Sequence, residues 1–177
     1  MNEKKKNRFL KILAAIIAVI IICFLVWVNV EHRLIPAGAG SFEFYTVGYD
    51  DGTGPGLTGE IIFGNKAYCL SEEGKDKLVE LLRTCRMKIH LGSTWDYTDG
   101  NDNLMFGVQY KANGRTSYRS IRLFGGSLEV TFSSRSMGFP GSIFLSDTNY
   151  MARISNYTGD EFISLVRQLC EQYGIEQ

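Results

Sequence analysis

Between Phe9 and Val30 the chain reads FLKILAAIIAVIIICFLVWVNV, 22 residues with one charge, Lys11. As a helix this run reaches roughly 33 Å, enough to cross the hydrocarbon core of a bilayer. A helix apolar on every side needs lipid, or the centre of a large protein, around it. The about 140 residues that follow are a normal size for one compact core, and a buried helix of a soluble protein is not expected at this length and flanking charge. The run is therefore read as a single membrane-spanning helix of the signal-anchor kind.

The flanking charges give it a direction. Lys4, Lys5, Lys6, Arg8 and Lys11 lie at its start, while Glu31, His32 and Arg33 nearly cancel beyond it. Positive flanks stay on the cytoplasmic side. The expected layout is a basic cytoplasmic tail (1–8), a span (9–30), a juxtamembrane linker (31–41) and an extracytoplasmic domain (42–177) at the cell membrane. Trp27 falls where an indole sits at the outer interface. Pro36-Ala37-Gly38-Ala39-Gly40 predicts a linker too broken to pack, on which the domain swings. Ala37-Gly38-Ala39 also fits a leader-cleavage pattern. The apolar run is longer than a leader's, however, and the pattern lies well beyond it, so a retained anchor is expected. Cys23 follows three isoleucines rather than the small residue a lipid-attachment site needs.

Residues 34–177 carry 13 Lys/Arg against 17 Asp/Glu. That mildly acidic balance excludes a nucleic-acid surface, which calls for a basic patch. Cys69, Cys85 and Cys170 allow three pairings. They are read as small buried hydrophobes, with a Cys85–Cys170 bridge as the alternative. No CxxC or Cys/His cluster supports a zinc site.

Alternation and turn residues predict an α+β domain: a mostly antiparallel sheet of about six to eight strands, with two amphipathic helices on one face. Strands are expected over Phe42–Tyr49, in a hairpin around Gly64-Asn65, and in a meander from Leu104 through Asn113-Gly114 and Gly125-Gly126 to Ser133. Short strands are expected at Ile143–Leu145 and Tyr150–Ile154. One helix starts at Ser71 with the stripe Leu78, Leu81, Leu82, Cys85 and Ile89. A second starts at the capping box Thr158–Glu161, carries Phe162, Leu165, Val166, Leu169 and Tyr173, and stops at Gly174.

Chemistry-bearing residues are few. Leu82-Arg83-Thr84-Cys85 resembles the L-x-T-C part of the sortase active-site motif, over four residues. That resemblance implies Cys85 as a nucleophile with an upstream histidine and an arginine. The upstream histidine, His32, lies at the membrane, and a catalytic thiol needs an activating base. Asp96, Asp99, Asn101 and Asp102 are hard oxygen donors of the kind calcium takes. Their spacing is not that of an EF-hand, and the same residues are ordinary in turns. No other cofactor is implied. Trp95, Tyr97, Phe139 and Tyr150 lie in or beside loops and are candidates for a binding surface. Asn156-Tyr157-Thr158 has the form of a glycosylation site.

The resulting expectation is a membrane-anchored, non-enzymatic protein whose outer domain binds a protein or cell-envelope ligand. The alternatives are an envelope enzyme acting through carboxylates or Cys85, and an accessory subunit of a membrane complex.

Overall fold

The computed structural model describes residues 3–45, 59–63, 66–90, 104–124, 127–133 and 149–177. The chain divides into two compact units, Met1–Val30 and Glu31–Gln177.

The first unit is one helix, α1 (Glu3–Asn29), of which Asn7–Asn29 is long and apolar enough to cross a membrane. Phe9, Ile12, Ile16, Val19, Ile22 and Val26 are each more than half exposed, so its apolar surface points in every direction. Asn29 closes the last turn by donating its side-chain amide to the Leu25 carbonyl at 2.8 Å.

The second unit is α+β. Its strands are β1 (His32–Arg33), β2 (Gly40–Tyr45), β3 (Glu60–Phe63), β4 (Lys66–Leu70), β5 (Arg86–His90), β6 (Leu104–Ala112), β7 (Arg115–Phe124), β8 (Ser127–Ser133), β9 (Asn149–Ile154) and β10 (Gly174–Glu176). They form one antiparallel sheet in the order β1-β5-β9-β8-β7-β6-β3-β4-β10. β2 and β3 share the remaining edge of β6: β2 runs beside Gly107–Lys111 and β3 beside Leu104 and Met105. The registers of the flanking residues fit the hairpins expected from sequence. Phe63 pairs with Lys66 across Gly64-Asn65, and Phe124 with Ser127 across Gly125-Gly126. Asn113 and Gly114 both have positive φ between the paired Ala112 and Arg115, as a tight hairpin turn requires.

Period-two alternation then sorts the two sheet faces. Phe44, Ile61, Phe63, Met87, Ile89, Leu104, Phe106, Val108, Tyr110, Ile121, Val130, Ala152 and Ile154 are buried and line the inner face. The helices α2 (Glu72–Thr84) and α3 (Gly159–Tyr173) cover it. Arg83 of α2 lies over the Phe42 ring at 5.4 Å and Arg167 of α3 over Phe63 at 5.9 Å. From the helices come Leu78, Val79, Leu82, Phe162, Ile163, Val166 and Cys170. Each such side chain contributes about 1.5–3 kcal/mol by leaving water.

The helix ends are fixed locally. Ser71 accepts from the Gly74 amide at 3.2 Å. Thr158 and Glu161 form the reciprocal box, with Thr158 N–H to the Glu161 carboxylate at 2.9 Å and Glu161 N–H to the Thr158 hydroxyl at 3.3 Å. Gly74 occupies the place where a capping glutamate would stand, and packing explains it. A Cβ there would lie 2.6 Å from the Cβ of Tyr173 and 3.4 Å from Leu70, so glycine lets the start of α2 meet the end of α3.

Several expectations are corrected. The first helix ends at Thr84, and Ile89 lies in β5 rather than on a helical stripe. Past Cys85 the period changes from helical to two: Met87 and Ile89 are buried while Arg86 and Lys88 face away. Val79 is buried where Leu81 was expected, and Leu165 is 37% exposed while Ile163 is buried, so both helices turn slightly from the predicted stripe. After Gly174 the chain continues as β10 on β4. Among the described residues the sheet thus has ten strands, not six to eight. The expected strand Ile143–Leu145 lies outside the described residues.

Residues 31–41 do not behave as a swinging linker. His32 and Arg33 pair with Met87 and Arg86, and the Leu34 N–H donates to the Cys85 carbonyl at 3.1 Å. A turn closed from the Ala39 N–H to the Pro36 carbonyl at 3.2 Å leads into β2, and Arg83 donates to the Ala39 carbonyl at 3.0 Å. Leu34, Ile35 and Ala39 are buried at 0%, 1% and 4% exposure. The proline and glycines shape a packed turn here instead of preventing packing.

Candidate functional site

Two features of the domain carry unusual chemistry: a buried arginine on the inner face, and the polar outer face of the sheet. Arg119 shares the alternation of Ser117 and Ile121, so β7 must deliver it inward. It is the largest fully buried side chain among the described residues, at 1% exposure. Its Nε donates to the Leu34 carbonyl at 3.3 Å and one Nη to the Tyr118 carbonyl at 3.0 Å. Its guanidinium lies 5.4 Å from the Tyr110 ring centre, a cation–π contact that gains strength away from water. Burial pulls its pKa down, opposed by Tyr110 and Tyr45, yet an arginine keeps its proton in a protein. The Tyr110 hydroxyl, pushed up by burial, faces Ser117 in register but has no well-formed hydrogen bond among the described residues. A charge in the core thus holds a carbonyl of the segment that follows the N-terminal apolar helix.

The outer face is polar. Among the described residues no helix covers it. Tyr45 of β2 lies across Gly107, and its hydroxyl meets the Ser120 hydroxyl at 3.2 Å and the Arg119 carbonyl at 3.3 Å. Burial raises its pKa. Tyr118 stands beside it, edge to face at 6.3 Å, and is 44% exposed. Gln109 donates to Glu43 at 3.1 Å. Along the next rows, Arg122 and Arg153 both pair in register with Glu129, and Arg153 with Lys88. The buried Nε of Arg122 has no hydrogen-bond partner among the described residues. Tyr118 and Arg122 share this face of β7, and tyrosine and arginine are residue types that protein surfaces use for recognition.

Cys85 is the C-cap of α2, between helix and strand, and is fully buried. Its thiol donates to the Leu81 carbonyl at 3.4 Å, and burial pushes its pKa up to about 12. Cys170, also fully buried, is pushed up to about 12 by burial, with Glu171 adding to it. Both are free thiols, as is Cys69 on β4. A thiol held at such a value is protonated at neutral pH and a poor nucleophile.

Asp96, Asp99, Asn101 and Asp102, the calcium candidates, lie outside the described residues, as do Trp95, Tyr97 and Phe139. Tyr150 is in β9, paired with Phe132. Among the described residues no group of three or more His, Cys, Asp and Glu is placed to hold a metal. Asn156 is engaged at both ends of its side chain. It accepts from the Arg86 amide at 2.7 Å and donates to the Thr84 carbonyl at 3.1 Å, so it splices α2 to β5.

The sequence patterns do not single out Arg119 or Tyr118, and they show Asn156 only as part of a glycosylation pattern. The alternation around Ile121 held the signal for the first two: it sends Arg119 inward and Tyr118 outward. Comparison with protein-family models, with curated proteins and with solved structures finds no match for this chain.

Proposed function

We propose that this chain is a single-pass membrane protein whose N-terminal helix is retained, with the tail cytoplasmic and the α+β domain outside the cytoplasm, where it binds a protein or cell-envelope ligand. The observation that carries the reading is the burial of Leu34, Ile35 and Ala39 together with the β1–β5 pairing. Cutting after Ala39 would remove an edge strand and three buried side chains, Leu34, Ile35 and Ala39. It would also take away the carbonyl that Arg119 binds. A fold that uses residues upstream of the cleavage pattern is made to keep them. The orientation rests on the five cations before and at the start of the span. Binding rather than catalysis rests on the outer face, with Tyr118 exposed there, and on thiols held in their unreactive form.

The test is protease shaving of intact cells carrying the chain tagged at both ends. Retention in the proposed orientation leaves the N-terminal tag protected and the C-terminal tag accessible, on one polypeptide of full mass. A mature chain beginning at Gly40 would overturn it. Crosslinked affinity purification from the same membranes then tests binding. A partner lost on deletion of the outer domain supports the reading, and its absence moves weight to a reaction on the polar face.

A further inference from the structure

The first strand of the domain carries an electrostatic conflict. In the β1–β5 pair Arg33 stands directly opposite Arg86. The rung from the Leu34 N–H to the Cys85 carbonyl makes the Arg33–Arg86 pair the non-hydrogen-bonded kind, in which side chains stand closer. Like charges directly opposite destabilise a strand pair. Neither guanidinium has a carboxylate within ion-pair distance among the described residues, whereas Lys88, two residues along, reaches Glu31 at 3.9 Å. Arg153 is opposite Lys88. Arg33, Arg86, Lys88 and Arg153 therefore gather cations at one corner of a domain whose residues 34–177 are acidic in balance.

The position of the conflict along the chain matters. α1 ends at Asn29 and β1 begins at His32. Four residues of extended chain reach at most about 14 Å, and the headgroup layer outside the hydrocarbon core is roughly 5–8 Å thick. Arg33 is thus tied within reach of lipid phosphates if α1 spans a bilayer.

We infer that Arg33 and Arg86 form a clamp for the phosphate group of a membrane phospholipid. The inference rests on the retained-anchor reading above. Two guanidinium forks match phosphate oxygens in geometry and charge. A phosphate between them turns a repulsive pair into two charge-assisted contacts. The clamp ties the cationic corner to the headgroups.

The full-length chain is reconstituted into nanodiscs of phosphatidylglycerol and, separately, of the phosphate-free glycolipid digalactosyldiacylglycerol, and amide exchange is followed. Residues 32–34 and 86–88 should exchange about tenfold more slowly in phospholipid, the change that one charge-assisted hydrogen bond corresponds to. Arg33→Gln with Arg86→Gln should abolish the difference, and Arg115→Gln, in the exposed hairpin at Asn113-Gly114, should keep it. Arg33→Glu should speed exchange in phospholipid but slow it in glycolipid, since it trades repulsion for an ion pair and removes half of the clamp. Equal exchange of the wild-type chain in the two lipids overturns the clamp, as does a lipid difference that survives the double substitution. Protection restored in glycolipid discs by added inorganic phosphate would assign the site to the free ion and overturn the lipid assignment. If the double variant does not fold, the wild-type comparison and Arg33→Glu decide. A chain that fails to enter either disc counts against the anchor reading; one that enters both without a lipid difference counts against the clamp alone.

Discussion

The ring of Tyr45 occupies the space that a side chain at position 107 would fill. A Cβ on Gly107 would lie 2.1 Å from the tyrosine Cζ and 2.2–2.6 Å from its neighbouring carbons. Tyr45 and Gly107 are direct partners in the β2–β6 ladder, so the ring lies across the strand and places its hydroxyl on Ser120. Gly107→Ala should therefore destabilise the domain by about 1–3 kcal/mol through overpacking. Tyr45→Phe should cost about 1 kcal/mol for the lost hydrogen bonds. Urea denaturation of both, and of Gly107→Ala combined with Tyr45→Ala, checks the pair. Additive effects would mean that the two residues do not share the space.

Gly74→Ala tests the meeting of α2 and α3. In an isolated helix this change stabilises by roughly 1 kcal/mol. Here the new methyl would clash with Tyr173, whose carbonyl also accepts from the Ser71 amide at 2.9 Å. A loss of about 1–3 kcal/mol is expected instead, and a raised melting temperature would contradict the packing described.

Leu34→Ala probes whether the segment after the N-terminal apolar helix belongs to the core. A fully buried leucine truncated to alanine costs about 2–5 kcal/mol. Ala37→Ser, at an exposed position in the same segment, should fall within roughly 0.5 kcal/mol of wild type. Chemical denaturation of the full chain in detergent separates the two outcomes, and equal stabilities would restore the swinging linker.

Thiol reactivity follows from burial. At pH 8, Cys85 and Cys170 should react with iodoacetamide about a hundredfold or more slowly in the folded chain than in denaturant, because little thiolate forms at a pKa near 12. Site-resolved mass spectrometry gives the rates. Rapid alkylation of native Cys85 would reopen a nucleophilic role.

The capping box gives a pH signature. Hydrogen bonds from Thr158 hold the Glu161 carboxyl below its ordinary value of 4.5. A carboxylate with a lowered folded pKa adds stability that is complete above the unfolded pKa and is lost as pH falls through the folded value. Melting temperatures of wild type and Glu161→Gln should therefore differ at pH 6 and converge as the pH drops below the ordinary glutamate range. A constant difference down to pH 2 would remove Glu161 from the cap.

Much of this arrangement was legible locally. The hairpins at Gly64-Asn65 and Asn113-Gly114, the Thr158–Glu161 box and the burial of alternate residues in β6 follow from turn chemistry, capping and pleat. The end of α2 was not, because Leu82, Cys85 and Ile89 fit a helical stripe as well as they fit a helix followed by a strand. Only the pairing of Met87 and Ile89 with Ile154 and Ala152 decides between them. β10 was hidden for a similar reason: three residues after a helix carry no period, and β4 supplies the partner.

The amino-acid order by itself determined the apolar helix, the charges before it and the α+β class, since length, hydropathy and alternation act within short stretches of chain. Only the tertiary structure decided that residues 31–41 belong to the domain, that Arg119 holds the Leu34 carbonyl and that Arg33 faces Arg86. Each of these contacts joins positions more than 40 residues apart. Their energy comes from burial and register, which a local pattern does not contain.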